Sequence, residues 1–331
     1  MPLETIIAGV MIASLVLYAL LGGADYGGGV WDLFAFGPRA KRQRALIAEA
    51  IGPVWEANHV WLILVIVILF TAFPPAFAVI ATALHVPITL LLIGIVLRGT
   101  AFTFRTYDVQ RDDIQRRWSR VFSIASIITP ILLGITLGAI ASGTIRVENG
   151  TVTSGFFNSW LAPFPFAVGF FALALFAFLA AVYLTVEAEA ERELQEDFRR
   201  RAFAAGVAVG VLALTVFVLS GTGAPAVRAG ISRTSWALGL HVLTAIAAVS
   251  AFFTLWTRRY KLARVCAAAQ VTLILLGWAF AQYPNLVEPD LAITSAAAPQ
   301  ITLQLLLGAL VAGALLLFPS YYYLFRIFKA E

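Results

Sequence analysis

Charged residues and cysteines are scarce in this sequence, and each scarcity excludes a class of protein. Only 12% of the 331 residues are charged, whereas 61% are hydrophobic and the mean hydropathy is +0.89. A soluble domain of this length does not have enough interior for so many apolar side chains. Cys266 is the single cysteine, so no disulfide can form within the chain and no Cys/His metal cluster can be assembled.

Long apolar runs are abundant, and they predict an all-α polytopic membrane protein with nine transmembrane helices. A helix needs about 20 apolar residues to cross a bilayer. The runs are continuous, whereas the strands of a membrane β-barrel would alternate. The nine segments are 5–35, 45–73, 75–104, 118–143, 160–186, 200–220, 234–256, 262–282 and 298–325.

Two features near the beginning of the chain refine this prediction. No lysine or arginine precedes Arg39, so the first apolar segment lacks the basic region of a signal peptide and is expected to be a retained helix. Pro53 lies near the start of the second segment, where its missing N–H group would interrupt a helix. We therefore expect residues 40–51 to form a separate interfacial helix.

Lysine and arginine are distributed unevenly between alternate connections. Twenty of the 23 lie in the C-terminal tail or in the connections, with their flanks, that follow the odd-numbered apolar segments. The other connections contain Arg146, Arg228 and Arg233. Because cytoplasmic loops are enriched in these residues, the pattern predicts an outside N-terminus and a cytoplasmic C-terminus. The net charge of +5 therefore reflects topology, and we do not expect a nucleic-acid partner.

We predict a single transmembrane domain over residues 1–331. The charge pattern allows two four-helix units, 1–143 and 160–282, followed by the helix 298–325. No connection exceeds about 20 residues, so neither side of the membrane has room for a soluble catalytic domain.

An acid and an imidazole, Glu56 and His59, occur together at the start of the second apolar segment. Spacings of three and four residues predict one helix face, made of Glu49, Gly52, Glu56, His59 and Ile63. By helical rise, Glu56 would lie about 15 Å into the membrane from the cytoplasmic side. Ionisable side chains at such depth face protein or water. Two interpretations stay open, a structural hydrogen-bonding role and a proton-conducting role.

The first apolar segment has a stripe of glycines and acids. Gly22, Asp25, Gly29 and Asp32 follow at spacings of three, four and three residues, and the glycines would let a neighbouring helix approach closely. Asp25 would lie near the cytoplasmic interface. It either pairs with a basic neighbour or takes up protons. Arg98 lies at a suitable depth to form an ion pair with Asp25 or Asp32, although it could equally extend to the interface.

Haem binding by this chain itself is not expected. A haem between helices needs two axial ligands, commonly two histidines or a histidine and a methionine. The available ligands are few, and their depths do not suggest a stack of haems. They are His59, His85, His241, Met1 and Met11.

Four stretches of the chain share the pattern of one known family. They are GGADYGGG at 22–29, GPVWEANHVWL at 52–62, RGTAFTFR at 98–105, and residues 283–300. On these stretches the chain resembles subunit II of the cytochrome bd-type quinol oxidases. The resemblance extends over nearly the whole chain. Better-known members have Asp at the position of Glu56 and Gln at that of His59. This departure resembles the cyanide-insensitive branch of the family.

The resemblance implies a function and partners. The partner would be a haem-bearing subunit I that holds haem b, haem d and the quinol site in the bacterial cytoplasmic (inner) membrane. This chain would bind no haem or metal, stabilise the complex, and contribute to cytoplasmic proton uptake through Glu56, His59, Asp25 and Asp32. Small single-helix accessory subunits, and a bound quinone or lipid, are also compatible with the resemblance.

Two other hypotheses fit the polar residues. One is a proton-coupled secondary transporter in which Asp25, Glu56 and Arg98 form a coupled site. Such a transporter should have broken helices at matching places in its two halves, and the sequence indicates only the break at Gly52 and Pro53. The other is a structural scaffold without a proton role.

Overall fold

The computed structural model describes residues 2–107 and 112–329, and most of them are helical. Arg111, one of the basic residues counted for orientation, lies outside the described residues. The helices are α1 (Leu3–Leu33), α2 (Ala40–Ile51), α3 (Trp55–Ala72), α4 (Pro74–Ala83), α5 (His85–Tyr107), α6 (Asp112–Ala141), α7 (Pro163–Glu187), α8 (Arg192–Gly223), α9 (Pro225–Arg233), α10 (Ala237–Trp256), α11 (Tyr260–Gln282) and α12 (Gln300–Lys329).

Nine of the described helices are long and apolar enough to cross a membrane. They are α1, α3, α5, α6, α7, α8, α10, α11 and α12, and each corresponds to one predicted apolar segment. The prediction of nine membrane-spanning helices is confirmed. The separate helix expected at 40–51 is α2, which ends at Ile51 before the turn at Gly52, Pro53 and Val54.

The third predicted segment, 75–104, is not one helix. It divides at Leu84 into α4 and α5. Pro87 lies in the first turn of α5, and its missing N–H group cannot bond to the carbonyl of Ala83, so the chain cannot continue the helical ladder there. The connection after the sixth segment contains the short helix α9, which begins at Pro225.

The helix α7 lies at the centre of the bundle. All residues from 174 to 182 are buried, so this helix is surrounded by protein, with α1, α6 and α8 among its neighbours. Trp31 of α1 donates its indole N–H to the carbonyl of Ala177 at 2.8 Å. On the α6 side, a Cβ added to Gly134 would lie 2.6 Å from the carbonyl oxygen of Val168, so the two backbones are in direct contact. Whether the bundle consists of the two predicted four-helix units stays a prediction.

Ion pairs gather at one end of the bundle, which we call the α2 end. Arg39, which directly precedes α2, pairs with Asp197 of α8 at 2.8 Å. Lys261, at the start of α11, pairs with Glu189 in the turn after α7 at 3.4 Å. Exposed pairs of this kind stabilise a fold only weakly. They show that α2, the α7–α8 turn and the α10–α11 turn lie at the same end.

Two short antiparallel hairpins stand outside the helices. Strand β1 (Val147–Glu148) pairs with β2 (Thr151–Val152), and β3 (Asn285–Val287) pairs with β4 (Leu291–Ala292). The turn of the first hairpin uses Gly150 in the left-handed region, at a φ of 77°.

The side chain of Asp290 joins the two hairpins. Its Oδ2 accepts hydrogen bonds from Nε of Arg146 at 2.9 Å and from the backbone N–H of Val147 at 2.8 Å. The bond from the Arg146 guanidinium holds the pKa of the Asp290 carboxyl below its usual range.

Candidate functional site

A buried carboxylate in α1 is bound by an amide from α3. Asp25 is 6% exposed and Asn58 is 2% exposed. Nδ2 of Asn58 donates to Oδ2 of Asp25 at 2.8 Å, whereas Oδ1 of Asn58 is buried without a hydrogen-bond partner among the described residues. A bond of this kind offsets part of the cost of removing the carboxylate from water. The structure therefore contains an ionisable group held deep between two membrane helices.

Sequence reasoning did not assign a role to Asn58. The signal was present, because the buried residues of α3 are Asn58, Trp61, Ile68 and Ala72, at helical spacing. Asn58 is the only polar member of that buried stripe. A buried amide in a membrane helix needs a partner, and an aspartate on the adjoining helix is a suitable one.

Glu56 lies on the exposed surface of α3 and makes no hydrogen bond or ion pair with other described residues. The predicted face from Glu49 to Ile63 is therefore not formed. Val54 has φ −126° and ψ −11°, so the turn before α3 changes the helical phase. Glu49 belongs to α2 instead, where its carboxylate binds Arg42 at 2.9 Å.

His59 lies half-buried among aromatic rings. Its ring centroid is 5.8 Å from that of Tyr18, 6.0 Å from that of Tyr26 and 6.2 Å from that of Trp55. Aromatic pairs at these separations contribute modestly to packing. His59 thus fills a gap between α1 and α3, next to the helix turn that carries Asn58.

Arg98 is fully enclosed, at 1% exposure. Its Nε donates to Oγ of Ser126 at 3.2 Å, and its guanidinium lies 4.5 Å from the centroid of the Tyr26 ring and 5.2 Å from that of Phe122. Among the described residues it forms no ion pair, so the predicted pairing with an aspartate of α1 needs correction. Cation–π contacts and a hydroxyl group take the place of a carboxylate.

Asp32 accepts a hydrogen bond from α6, whereas Asp25 accepts one from α3. Asp32 is 1% exposed, and its Oδ2 accepts a hydrogen bond from Oγ of Ser123 in α6 at 3.0 Å. The helical rise places it about 10 Å from Asp25 along α1. The two acids that the sequence placed on one stripe therefore have different surroundings.

The glycines of α1 are packing positions, with one correction. A Cβ added to Gly29 would collide with the side chain of Ser126 in α6, as expected for a close helix contact. A Cβ added to Gly22 would meet Tyr18 of the same helix at 2.7 Å, so Gly22 is not the predicted interhelical contact. Gly27 occupies that role instead, because its added Cβ would overlap the backbone carbonyl of Phe176 in α7.

The remaining histidines lie on other helices, and each ring is within hydrogen-bond distance of a backbone carbonyl three or four residues earlier. Nδ1 of His85 lies 3.0 Å from the carbonyl of Thr82, and Nδ1 of His241 lies 2.6 Å from that of Ala237. Within residues 2–107 and 112–329, no group of three or more His, Cys, Asp or Glu side chains is placed to hold a metal ion.

These features define a class, a polytopic helical membrane protein with a polar network buried at the contact of α1, α3 and α6. Comparison with known proteins narrows the class. A family model described as cytochrome bd terminal oxidase subunit II matches residues 3–328. The chain belongs to this family. It is a subunit of a respiratory terminal oxidase and a multi-pass protein of the bacterial cytoplasmic membrane.

Individual relatives agree with this assignment. A Bacillus subtilis (strain 168) protein named cytochrome bd menaquinol oxidase subunit II is 21% identical over 323 residues, which cover 95% of this chain and 92% of that protein. The cytochrome bd-I ubiquinol oxidase subunit 2 of Escherichia coli (strain K12) is 27% identical over 210 residues, covering 62% of this chain and 53% of that protein.

A solved structure has the same fold. A chain of the bd oxidase from Geobacillus thermodenitrificans matches with a TM-score of 0.83 and 23% identity, covering 99% of both chains. The sequence resemblance to subunit II is confirmed, and family membership favours the oxidase over the secondary transporter.

Proposed function

We propose that this chain is the non-haem subunit of a quinol:oxygen oxidoreductase. In this proposal a partner, subunit I, holds haem b, haem d and the quinol site, while the present chain stabilises that partner and contributes to proton uptake. The observation that carries the assignment is the family match over residues 3–328. Relatives named as menaquinol and ubiquinol oxidase subunits support a quinol as the electron donor.

The location of Glu56 supports the proton-uptake part of the proposal. Glu56 is exposed on α3, a helix that spans the membrane. A carboxyl group is costly in hydrocarbon, so it is expected to face a partner subunit or water. Asp25 lies buried on the neighbouring helix and is bound through Asn58, which is two residues from Glu56. Two ionisable groups near one interface suit the transfer of protons from this chain to an oxygen-reducing partner.

The proposed orientation places the N-terminus outside and the α2 end in the cytoplasm. The α2 end carries Arg39, Arg42 and Lys261, in agreement with the enrichment of basic residues on the cytoplasmic side. Small accessory subunits, a bound quinone or lipid, and membership of the cyanide-insensitive branch stay predictions.

The assignment is tested by purifying the chain with and without its partner. Alone, the chain should be colourless. Co-expressed with subunit I, it should copurify with the absorbance of b-type and d-type haems. A haem spectrum from this chain alone, lost when His85 or His241 is replaced, would contradict the proposal. So would a chain that copurifies with no haem-bearing partner.

A further inference from the structure

We propose that a basic cavity at the α2 end binds the phosphate headgroup of an anionic membrane lipid. The cavity has a volume of about 270 Å³, close to the lower end of the range for small-molecule sites, which is roughly 300 Å³. It lies between the turn that follows α7 and the turn that joins α10 to α11. The inference does not depend on proton uptake by this chain, because it uses a different end of different helices.

The side chains that line the cavity have an excess of positive charge. The cations are Arg258, Arg259 and Lys261, and the acid is Glu189. Lys261 lies 3.4 Å from Glu189, and Arg258 lies 3.4 Å from Glu196. The side chain of Arg259 forms no hydrogen bond or ion pair with another described residue. Arginine binds phosphate oxygens through its planar guanidinium, so the cavity contains a cation that is available for an anion.

The backbone of the turn fixes where the two arginines lie. The N–H of Arg258 bonds to the carbonyl of Leu255 at 3.3 Å, and the N–H of Arg259 bonds to that of Thr254 at 2.8 Å. These two bonds are the Schellman motif that closes the end of a helix, here α10. Arg258 occupies its left-handed position, at a φ of 59°, where glycine is the usual residue. A fixed turn therefore presents two guanidinium groups to one cavity.

The surroundings of the cavity indicate a lipid as the source of the phosphate. Both α10 and α11 span the membrane, so the turn that joins them lies at its boundary. Trp256, the last residue of α10, is exposed, as tryptophans at membrane–water interfaces often are. Leu262 lines the cavity and is exposed, and Val265 is exposed one turn further along α11. A basic cavity that continues into an exposed apolar helix face matches a phosphate group attached to acyl chains.

Titration of the purified complex with phosphatidylglycerol, followed by native mass spectrometry, tests the site. Arg259→Gln combined with Lys261→Gln removes two cations from the lining. The dissociation constant of the tightest-bound phosphatidylglycerol should rise at least about tenfold, because each basic residue near an anionic lipid adds to the attraction. Lys41→Gln combined with Arg200→Gln is the matched control, since both residues are exposed cations at the α2 end and neither lines the cavity. Equal dissociation constants for the two double variants would overturn the proposal.

The thermal midpoint of the complex in detergent distinguishes a lipid from free phosphate. Phosphatidylglycerol should raise the midpoint of the wild type and of the control variant, but not that of the variant without Arg259 and Lys261. Phosphatidylcholine, which has no net charge, and inorganic phosphate should have no comparable effect. Equal stabilisation by either of them would overturn the proposal, because the site would then recognise acyl chains alone or free phosphate. If the double variant does not assemble, Arg259→Gln alone replaces it, since this change breaks no ion pair among the described residues.

Discussion

Replacing Gly27 with alanine should destabilise the bundle, although alanine is the better helix former. Gly27 lies in the middle of the contact between α1 and α7. The Cβ of an alanine there would overlap the backbone carbonyl of Phe176 and lie 2.7 Å from Cβ of Ala180. A backbone carbonyl cannot turn away as a flexible side chain can, so the two helices must move apart. Around that point α7 is buried on all sides, which leaves little room for such a shift.

The expected magnitude follows from two opposing terms. Overpacking a close contact costs roughly 1–3 kcal/mol. The exchange of glycine for alanine within a helix recovers about 1 kcal/mol. The net result is a decrease of up to about 2 kcal/mol in the free energy of unfolding, caused at the contact between α1 and α7.

Gly9→Ala is the matched control for this experiment. Gly9 lies on the same helix, and an added Cβ there would meet no atom within 4 Å. This variant should keep or raise the thermal midpoint of the purified complex, whereas Gly27→Ala should lower both the midpoint and the yield of assembled, haem-containing complex. Equal midpoints for the two variants would refute the direct backbone contact between α1 and α7.

Two further predictions concern single polar contacts. Asn58→Leu removes a donor to Asp25 and should lower the stability of the complex by about 1–3 kcal/mol, measured as a shift in its denaturation midpoint, because the buried carboxylate loses a hydrogen bond. An unchanged midpoint would contradict this bond. Asp290→Asn should lower the denaturation midpoint of the complex at pH 6. Because Arg146 depresses the pKa of Asp290 in the folded protein, the wild type should be more stable than the variant by its full margin above the ordinary aspartate pKa of about 3.9. This margin should vanish as the pH falls through the lowered pKa. An advantage that persists under acid conditions would argue against the ion pair.

The membrane-spanning helices could be predicted from the sequence because the bilayer imposes a minimum length on each apolar run. The helix break before α3 was also predictable, because Pro53 lacks the N–H group that would continue the helical hydrogen bonds. The break at Leu84 was missed because Pro87 acts on a carbonyl four residues earlier, inside what looks like a continuous apolar run.

The candidate site was predicted less completely, because the turn before α3 changes the direction in which the side chains of that helix point. The turn at Gly52, Pro53 and Val54 separates α2 from α3, and Val54 leaves helical geometry, so the face that α3 presents cannot be extrapolated from α2. Glu56 therefore points outward, and Asn58 is the residue that reaches Asp25. The surroundings of Arg98 were missed because aromatic and hydroxyl partners come from helices distant in sequence, and spacing along one helix does not reveal them.

The central claim is that this subunit passes protons to an oxygen-reducing partner, and Glu56 tests it most directly. In the fully assembled oxidase, Glu56→Gln should keep haem content near that of the wild type while slowing oxygen reduction, and Glu56→Asp should be milder because it keeps a titratable group. Turnover is measured together with acidification on the outer side of oriented vesicles. Slower turnover at normal haem content is the predicted result. A Glu56→Gln enzyme that assembles, turns over and acidifies the outside at the wild-type rate would contradict the claim.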